Sequence, residues 1–330
     1  MEHALTNELF NLFDFHEVRI ELLRVADENL EAAELNMSIS EEKYRSGVIN
    51  SFNFRDVQLI YLSAAVRRLQ AVYQLREELV HEFSLSYRPH IHADAAIGWA
   101  WSVFNDYDFE QNDLAFRGRT IRALAAAKYR IQHLQLADSI GVDFHKTGFA
   151  PYLSSAVLFR DCRDLDLIAR NREAMPYLFQ TGDYHPGMYT LETSRGAGGP
   201  LAALANLLLF GKEGLRTLLG HIVEMAEVLR EELESKPYFT VLNSENVGPV
   251  TLFRVYPEGV DPFTIKRHEF TDPSYRQKLL EHNEFNRQIY EFVHAESLAG
   301  RGVAINETDC YRLTNYGEPV VALKSYVLTP

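Results

Sequence analysis

The feature that most constrains the fold is a change of sequence pattern near Tyr87. Before it, apolar residues recur at helical spacing over about 19–46 and again over about 55–83. The first of these stretches stops at Gly47, and a short connection precedes the second, so an antiparallel helical hairpin is expected. After Tyr87, short apolar runs alternate with helical patterns, which is typical of an α/β fold. The sequence therefore predicts a helical hairpin domain over 1–86, followed by an α/β body.

The body divides into a larger and a smaller part. Strands are expected at about 90–94, 139–143, 154–160, 238–243, 249–256, 302–306 and 320–328. Helices are expected at about 120–136, 199–210 with a continuation to 234 after a break at 211–214, and 273–296. The order strand, strand, helix, strand, strand in the last hundred residues predicts a small α/β domain with an antiparallel sheet. We therefore expect a large domain over 87–235 and a small C-terminal domain over 236–330.

Charge and composition restrict the possible partners. The formal net charge of -13 argues against nucleic acid, because phosphate binding requires clustered Lys and Arg. Residues 1–86 contain 8 basic and 15 acidic residues, so the hairpin is the more acidic part. Cys162 and Cys310 form neither a disulfide framework nor a metal-ligand spacing. No signal peptide and no membrane-spanning run is visible, so we expect a cytoplasmic protein without a metal site.

Two side chains at strand ends indicate the chemistry. Lys146 follows the expected strand at 139–143, and Asp94 ends the expected strand at 90–94. A lysine amine can form a Schiff base with the aldehyde of pyridoxal 5′-phosphate, and a carboxylate can keep the pyridine nitrogen of that cofactor protonated. The alternatives are a solvated lysine at a strand end and an aspartate that caps a turn or a helix. The combination favours a pyridoxal phosphate enzyme.

Further sequence blocks extend this pattern in the same order along the chain. The blocks are His92-Ala-Asp-Ala95, Val142-Asp-Phe-His-Lys146, Ala156-Val-Leu-Phe-Arg160, Tyr189-Thr-Leu-Glu-Thr-Ser-Arg195 and Val250-Thr-Leu-Phe-Arg254. Through them, residues 87–330 resemble the group II pyridoxal-dependent amino-acid decarboxylases. The resemblance implies a partial large domain like that of fold-type I PLP-dependent transferases, with a small C-terminal α/β domain. It also implies a homodimer that decarboxylates an L-amino acid to an amine and CO₂, without specifying which amino acid.

The resemblance also implies roles for residues around the lysine. Lys146 would hold the cofactor, with Asp94 at the pyridine nitrogen and Ala96 beneath the ring. His145 would lie beside the cofactor phosphate, which an imidazole can contact by a hydrogen bond. The alternatives are that Ala96 serves only helix packing and that His145 is a core histidine.

Hydroxyl and loop residues complete the implied site. Ser139 and Thr147 are candidates for further phosphate contacts. In the family, a mobile loop after the lysine supplies a tyrosine that returns a proton once carbon dioxide has left. Here the loop would be about 173–190, where Tyr184 is our candidate and Tyr177 and Tyr189 are alternatives.

Arg195 is the candidate for substrate binding in the implied site. Its guanidinium could hold the substrate carboxylate with two parallel hydrogen bonds. The alternative is a structural ion pair with Glu192, three residues earlier in the chain.

The hairpin suggests a second resemblance. Tyr44 and Gly47, followed by a helix that contains Ala71-Val-Tyr-Gln74, make residues 15–84 similar to the periplasmic helical hairpin of TolC-type outer-membrane efflux proteins. The alternative is a solvated hairpin that packs on a neighbouring element. Such a fusion implies a chimeric chain that lacks the upstream half of the cofactor domain, so we expect cofactor binding and turnover to be impaired. The competing functions are a non-catalytic helical or efflux-type interaction module and an inactive decarboxylase-like scaffold.

Overall fold

The protein forms two compact units. The computed structural model describes residues 2–45, 48–49, 51–171, 173, 186–190, 196–244 and 247–327. One unit consists of Met1–Ser102 with Lys128–Leu208, and the other of Val103–Ala127 with Leu209–Pro330. The helical hairpin therefore belongs to the same unit as the strands around Lys146. The three domains predicted from the sequence instead separate the hairpin from these strands. That division stays a prediction.

Two long helices open the first unit. They are α1 (Glu2–Arg45) and α2 (Ser51–Glu82). Arg19, in the first half of α1, pairs with Glu78 near the end of α2 at 2.7 Å, so the two helices run antiparallel. Helix α1 starts 17 residues before the bound expected from the sequence, at residue 2 rather than 19.

The buried faces of the hairpin follow helical spacing. On α1, Ala33, Met37 and Ser40 are buried at positions i, i+4 and i+7. On α2, Phe54 and Val66 are buried. One face of each helix is therefore buried in the hairpin.

A three-stranded sheet follows in the same unit. Its strands are β1 (His92–Asp94), β2 (Ser139–Asp143) and β3 (Ser155–Phe159). Two helices lie between them in the sequence: α3 (Gly118–Ile131), most of which belongs to the other unit, and α4 (Phe144–Thr147). The strand order is β1-β2-β3, with β1 parallel and β3 antiparallel to β2. The three predicted strands are confirmed to within two residues. The predicted helix over 120–136 ends sooner, at Ile131, and the short helix α4 was not expected.

A long helix, α5 (Gly198–Glu234), follows with a bend at Gly211. The backbone of Gly211 has φ 55° and ψ -163°, a conformation that residues with a Cβ rarely adopt. The sequence-predicted break at 211–214 therefore corresponds to a single glycine that redirects the chain.

The second unit contains a four-stranded antiparallel sheet. Its elements are β4 (Phe239–Val241), β5 (Val250–Val255), α6 (Pro262–Thr271), α7 (Arg276–Leu298), β6 (Asn306–Thr308) and β7 (Ala322–Tyr326). The strand order is β4-β5-β7-β6, and every pair is antiparallel, which confirms the expected sheet. Strand β6 begins only at the last residue of the range predicted for it. Helix α6 was not predicted.

The sheet of the second unit packs on α7 through apolar and amide side chains. Phe253 and Leu323 belong to a buried apolar cluster against which Phe285 of α7 packs. Asn286 of α7 donates to the carbonyl of Val255 at 2.9 Å and accepts from its N–H at 2.9 Å. Its amide thus occupies both backbone groups of a strand residue.

Within the parts of the chain that the structure describes, every helix is too short or too polar to span a bilayer.

Candidate functional site

Asp94 and Lys146 lie at the same edge of the first sheet. Asp94 ends β1 and is in register with Gly141 of β2, which runs parallel to β1. Strand β2 ends at Asp143, and Lys146 follows in α4. The N–H of Asp143 donates to the carbonyl of Ala96 at 3.3 Å, which joins the two chain segments just beyond the strands. The parallel pairing therefore brings the predicted lysine and aspartate to one edge.

The Lys146 ammonium forms an ion pair within its own turn. Its Nζ lies 2.7 Å from the Asp143 carboxylate, with the two side chains 28% and 18% exposed. The Ser155 hydroxyl donates to the same carboxylate at 2.5 Å. Burial acts to raise the pKa of Asp143, but the hydrogen bonds from Lys146 and Ser155 and the charge of Lys146 lower it overall. We did not identify Asp143 from the sequence, because its contact with Lys146 depends on the unpredicted helix α4.

His145 lies beside this pair and is mostly buried. Its Nδ1 is 3.1 Å from the carbonyl and 3.3 Å from the N–H of Ser154. Its Nε2 lies 3.8 Å from Asp143, and its ring packs on Tyr152 with the centroids 4.2 Å apart. Contacts with Ser154 and Tyr152 fix the orientation of the imidazole.

Asp94, Ala96 and Thr147 occupy neighbouring positions. Asp94 is exposed, and its carboxylate accepts the Ala96 N–H at 3.0 Å. Ala96 itself is half-buried. Thr147 is fully buried, and its hydroxyl donates to the carbonyl of Ile97 at 2.8 Å. Thr147 therefore holds α4 against the segment that follows β1.

Ser139 is the predicted site residue that the structure separates from the others. It is the first residue of β2, whereas Lys146 follows the last, and a five-residue strand is about 13 Å long. Its hydroxyl lies 2.8 Å from Nε2 of His90 and 2.7 Å from Nδ1 of His92. Our expectation of a phosphate contact from Ser139 is therefore corrected, because its hydroxyl lies at the opposite end of the strand.

The predicted loop and substrate residues lie mostly outside the described residues. Tyr184, Tyr177 and Arg195 belong to these undescribed parts, and so does Glu192. Tyr189 ends a short 3-10 helix and is half-buried.

Aromatic and glycine packing holds the lysine turn in place. Trp99 contacts Phe144 edge to face, with ring centroids 4.9 Å apart, and its Nε1 donates to the Asp143 carbonyl at 3.2 Å. A Cβ on Gly148 would lie 2.7 Å from the Phe144 carbonyl oxygen and 3.1 Å from the Trp99 ring. Only glycine fits here without a shift of the backbone.

Helix α5 supports the loop after the lysine. The Asn206 side chain donates to the carbonyls of Gly148 at 3.1 Å and Phe149 at 2.8 Å. The Ser154 hydroxyl donates to the Gly199 carbonyl at 3.1 Å. Asn206 was not among the candidate site residues predicted from the sequence, and its two hydrogen bonds hold this loop.

A buried ion pair connects the hairpin to the sheet. Arg76 of α2 pairs with Asp138, which directly precedes β2, and both side chains are 6% exposed. Arg76 also donates to the Pro89 carbonyl at 3.1 Å, and the Ile91 N–H donates to the Asp138 carboxylate at 2.9 Å. Burial acts to raise the pKa of Asp138, but the Ile91 hydrogen bond and the charges of Arg76 and Arg88 lower it overall. The hairpin is therefore attached at the start of β1 and β2.

The donor set at this edge fits pyridoxal phosphate chemistry in its main elements. The cofactor requires an amine and a carboxylate; here the carboxylate ends β1, the amine follows the adjacent parallel strand β2, and a buried imidazole lies beside the amine. Upstream of β1, the described residues form α1 and α2 and no strand.

Comparison with known families agrees with this chemistry. Residues 113–256 match the family model described as the pyridoxal-dependent decarboxylase conserved domain. The match includes His145 and Lys146, while Asp94 lies before it. Residues 113–256 are therefore similar to the conserved domain of the pyridoxal-dependent decarboxylases, a domain whose cofactor is pyridoxal 5′-phosphate.

Individual relatives are decarboxylases of different amino acids. The L-tyrosine decarboxylase of Enterococcus faecalis is 25% identical over 252 residues, covering 69% of this chain and 37% of that protein. The aspartate 1-decarboxylase of Aliivibrio fischeri is 23% identical over 171 residues, covering 52% of this chain and 27% of that protein. The chain thus spans well under half the length of the curated relatives it matches.

Solved structures show a distant similarity. The Oryza sativa enzyme TDC with PLP and tryptamine has a TM-score of 0.48 and 15% identity, with 78% of this chain and 42% of that one covered. Mouse CSAD has a TM-score of 0.47 and 16% identity, with 79% and 44% covered. The resemblance of residues 15–84 to efflux proteins stays a prediction.

Proposed function

We propose that this protein binds pyridoxal 5′-phosphate at the edge formed by β1 and β2 and decarboxylates an L-amino acid to an amine and CO₂. The observation that carries the proposal is the parallel pairing of β1 with β2, which brings Asp94 and Lys146 to one edge. The match of residues 113–256 to the decarboxylase domain supports it.

Each residue at the edge has a distinct function in this proposal. When bound, the cofactor supplies a protonated ring that accepts electrons as the substrate loses its carboxylate. Lys146 holds the cofactor through Nζ, and Asp94 keeps a proton on the ring nitrogen. His145 contacts the phosphate, and Ala96 leaves room beneath the ring. Thr147 positions the lysine turn through its hydrogen bond to Ile97.

Asp143 controls the availability of the lysine. Its carboxylate holds the Lys146 ammonium at 2.7 Å, so this ion pair must open before Nζ can bind the cofactor. Ser155 remains as a hydrogen-bond donor to the carboxylate after the pair has opened. The Asp143 carboxylate can therefore stay charged after the pair has opened, and the proton that Nζ loses passes to water, which reaches the partly exposed lysine.

The remaining assignments follow from the family resemblance. We assign the proton that replaces the lost carboxylate to Tyr184 and the binding of the substrate carboxylate to Arg195. The substrate is an L-amino acid, as it is for the relatives, whose names cover aspartate, tyrosine and glutamate. We also propose a homodimer in the cytoplasm, as the resemblance implies.

The test is carbon dioxide release by the full chain loaded with pyridoxal phosphate. L-tyrosine, L-glutamate and L-aspartate would be supplied in turn, with Lys146→Ala as the inactive control and Lys128→Ala as the control for loss of any lysine. We expect the unsubstituted chain and Lys128→Ala to release carbon dioxide from at least one of the three amino acids, and Lys146→Ala to release none. Cofactor binding without release from any amino acid would contradict the enzymatic proposal and favour a decarboxylase-like scaffold.

A further inference from the structure

Helix α1 carries a second stripe of residues beside the one that packs on α2. The stripe consists of Val18, Leu22, Val25, Asn29, Ala32, Asn36 and Ile39, all of them exposed. The steps alternate between four and three residues, which is the spacing of a coiled-coil seam. Over 22 residues this seam is about 32 Å long.

The stripe can accept another helix without displacing α2. Ala33, Met37 and Ser40, which are buried in the hairpin, each follow a residue of the stripe by one position. The two stripes are therefore adjacent on α1. Val18 is 54% exposed, Leu22 46% and Ile39 42%, so substantial apolar area remains in contact with water.

Two asparagines in the stripe identify its partner. With Leu22 as a first core position, Asn29 and Asn36 follow at intervals of seven and fall on the same type of core position. An asparagine at such a position is costly against an apolar residue and fixes the register by pairing with another asparagine. Two of them, one heptad apart, are both satisfied by an identical helix that lies parallel and in register.

The charges beside the stripe favour the same arrangement. Glu21 and Glu28 precede core positions, and both pair with Arg24 of the same helix. In an antiparallel pair these glutamates would face the equivalent edge of the partner, where like charges would meet. In a parallel pair they face the opposite edge, where Ala26 and Ala33, the latter buried in the hairpin, carry no charge.

We propose that a second copy of this chain packs its α1 helix against this stripe, parallel and in register, so that Asn29 and Asn36 each meet their own counterpart. The interaction does not depend on the decarboxylase proposal, because none of the residues of the stripe has a function at the edge of β1 and β2. It gives the acidic hairpin a function in self-association.

Disulfide cross-linking of the full chain tests the register. The exposed thiols would first be removed by Cys162→Ser and Cys310→Ser. In this background, Asn36→Cys and Asn29→Cys each place a thiol in the seam, and Glu34→Cys places one on the exposed outer face. Under mild oxidation, we expect both seam variants to form covalent dimers at least roughly tenfold faster than Glu34→Cys. Equal rates, or no cross-link at either seam position in a chain that retains its helical circular dichroism, would overturn the proposal.

Light scattering over a concentration series provides a second readout. Val25→Asp places a charge in the seam, and Gln74→Glu makes the same change of charge on an exposed position of α2. We expect Val25→Asp to raise the dimer dissociation constant at least roughly tenfold and Gln74→Glu to leave it unchanged. If Val25→Asp leaves self-association unchanged, the stripe does not contribute to it and the proposal is wrong; any dimer that remains would be the one implied by the family resemblance, formed through another surface.

Discussion

Replacing Arg76 with methionine tests whether the hairpin is a structural part of the unit that contains Lys146. Arg76 and Asp138 form an ion pair in which both side chains are 6% exposed. Removing one partner of a buried pair leaves the other charge uncompensated, which costs about 3–5 kcal/mol. The Ile91 N–H still donates to Asp138 at 2.9 Å, and Arg88 lies 3.5 Å away, so we expect the lower end. The free energy of unfolding should fall by about 3 kcal/mol.

Urea and thermal unfolding followed by circular dichroism measure this change. For a unit of this size, the loss corresponds to a decrease in Tm of roughly 6–12 °C. Arg68→Met is the matched control, because Arg68 lies on the same helix and its ion pair with Asp27 is exposed, with side chains 47% and 43% accessible. We expect that control to cost less than about 1 kcal/mol.

The double variant Arg76→Met with Asp138→Asn separates the ion pair from packing. Neutralising Asp138 removes the uncompensated charge, so the double variant should be more stable than Arg76→Met alone. The reasoning is refuted if Arg76→Met unfolds like Arg68→Met, or if Asp138→Asn gives no recovery. Either result would mean that the hairpin is attached without this contact.

Three further outcomes follow from individual groups. The pKa of Asp138 in the folded chain is lowered, so the Asp138 carboxylate stabilises the fold fully above its ordinary pKa of about 3.9 and loses this contribution as the pH falls below that value. In acid titrations of the free energy of unfolding, the wild-type chain should therefore lose stability below about pH 4 more steeply than Asp138→Asn. Gly148→Ala should weaken the binding of pyridoxal phosphate in an absorbance titration, because the added Cβ would lie 2.7 Å from the Phe144 carbonyl oxygen. Gly196→Ala is the control and should leave binding unchanged, because its Cβ would have no neighbour within 4 Å. Burial and repulsion from Asp309 and Glu291 raise the pKa of Glu307, so ionisation of this carboxyl destabilises the fold as the pH rises through the raised pKa. Glu307→Gln should therefore be more stable than the wild-type chain at pH 7, by less than about 1 kcal/mol, and equally stable at pH 4.

The strands around the candidate site could be predicted because their pattern is local. Strand β2 matches its expected range of 139–143 without error, since an apolar run between turn residues indicates a strand directly. Its lysine and the aspartate of β1 could be paired from chemistry alone. The prediction for Ser139 ignored the direction of β2: Ser139 is the first residue of the strand, so its hydroxyl lies at the end opposite to Lys146.

The contacts that hold the site could not be predicted because they are distant in sequence. Arg76 and Asp138 are separated by 62 positions, and nothing in the pattern of α2 distinguishes Arg76 from the exposed Arg68. Helix α6 has ten residues and little periodicity, although Asp261 and Pro262 form a recognisable helix start. Such features depend on tertiary packing, which a single sequence does not encode in its local pattern.

The measurement that most directly tests the central claim is the position at which pyridoxal phosphate attaches to the chain. The full chain would be incubated with the cofactor, reduced with borohydride, digested and mapped by mass spectrometry. We predict one dominant adduct on Lys146, which Asp94→Asn weakens and Lys146→Ala abolishes. An adduct spread over surface lysines such as Lys212 and Lys236, unchanged by Lys146→Ala, would contradict a cofactor site at the edge of β1 and β2.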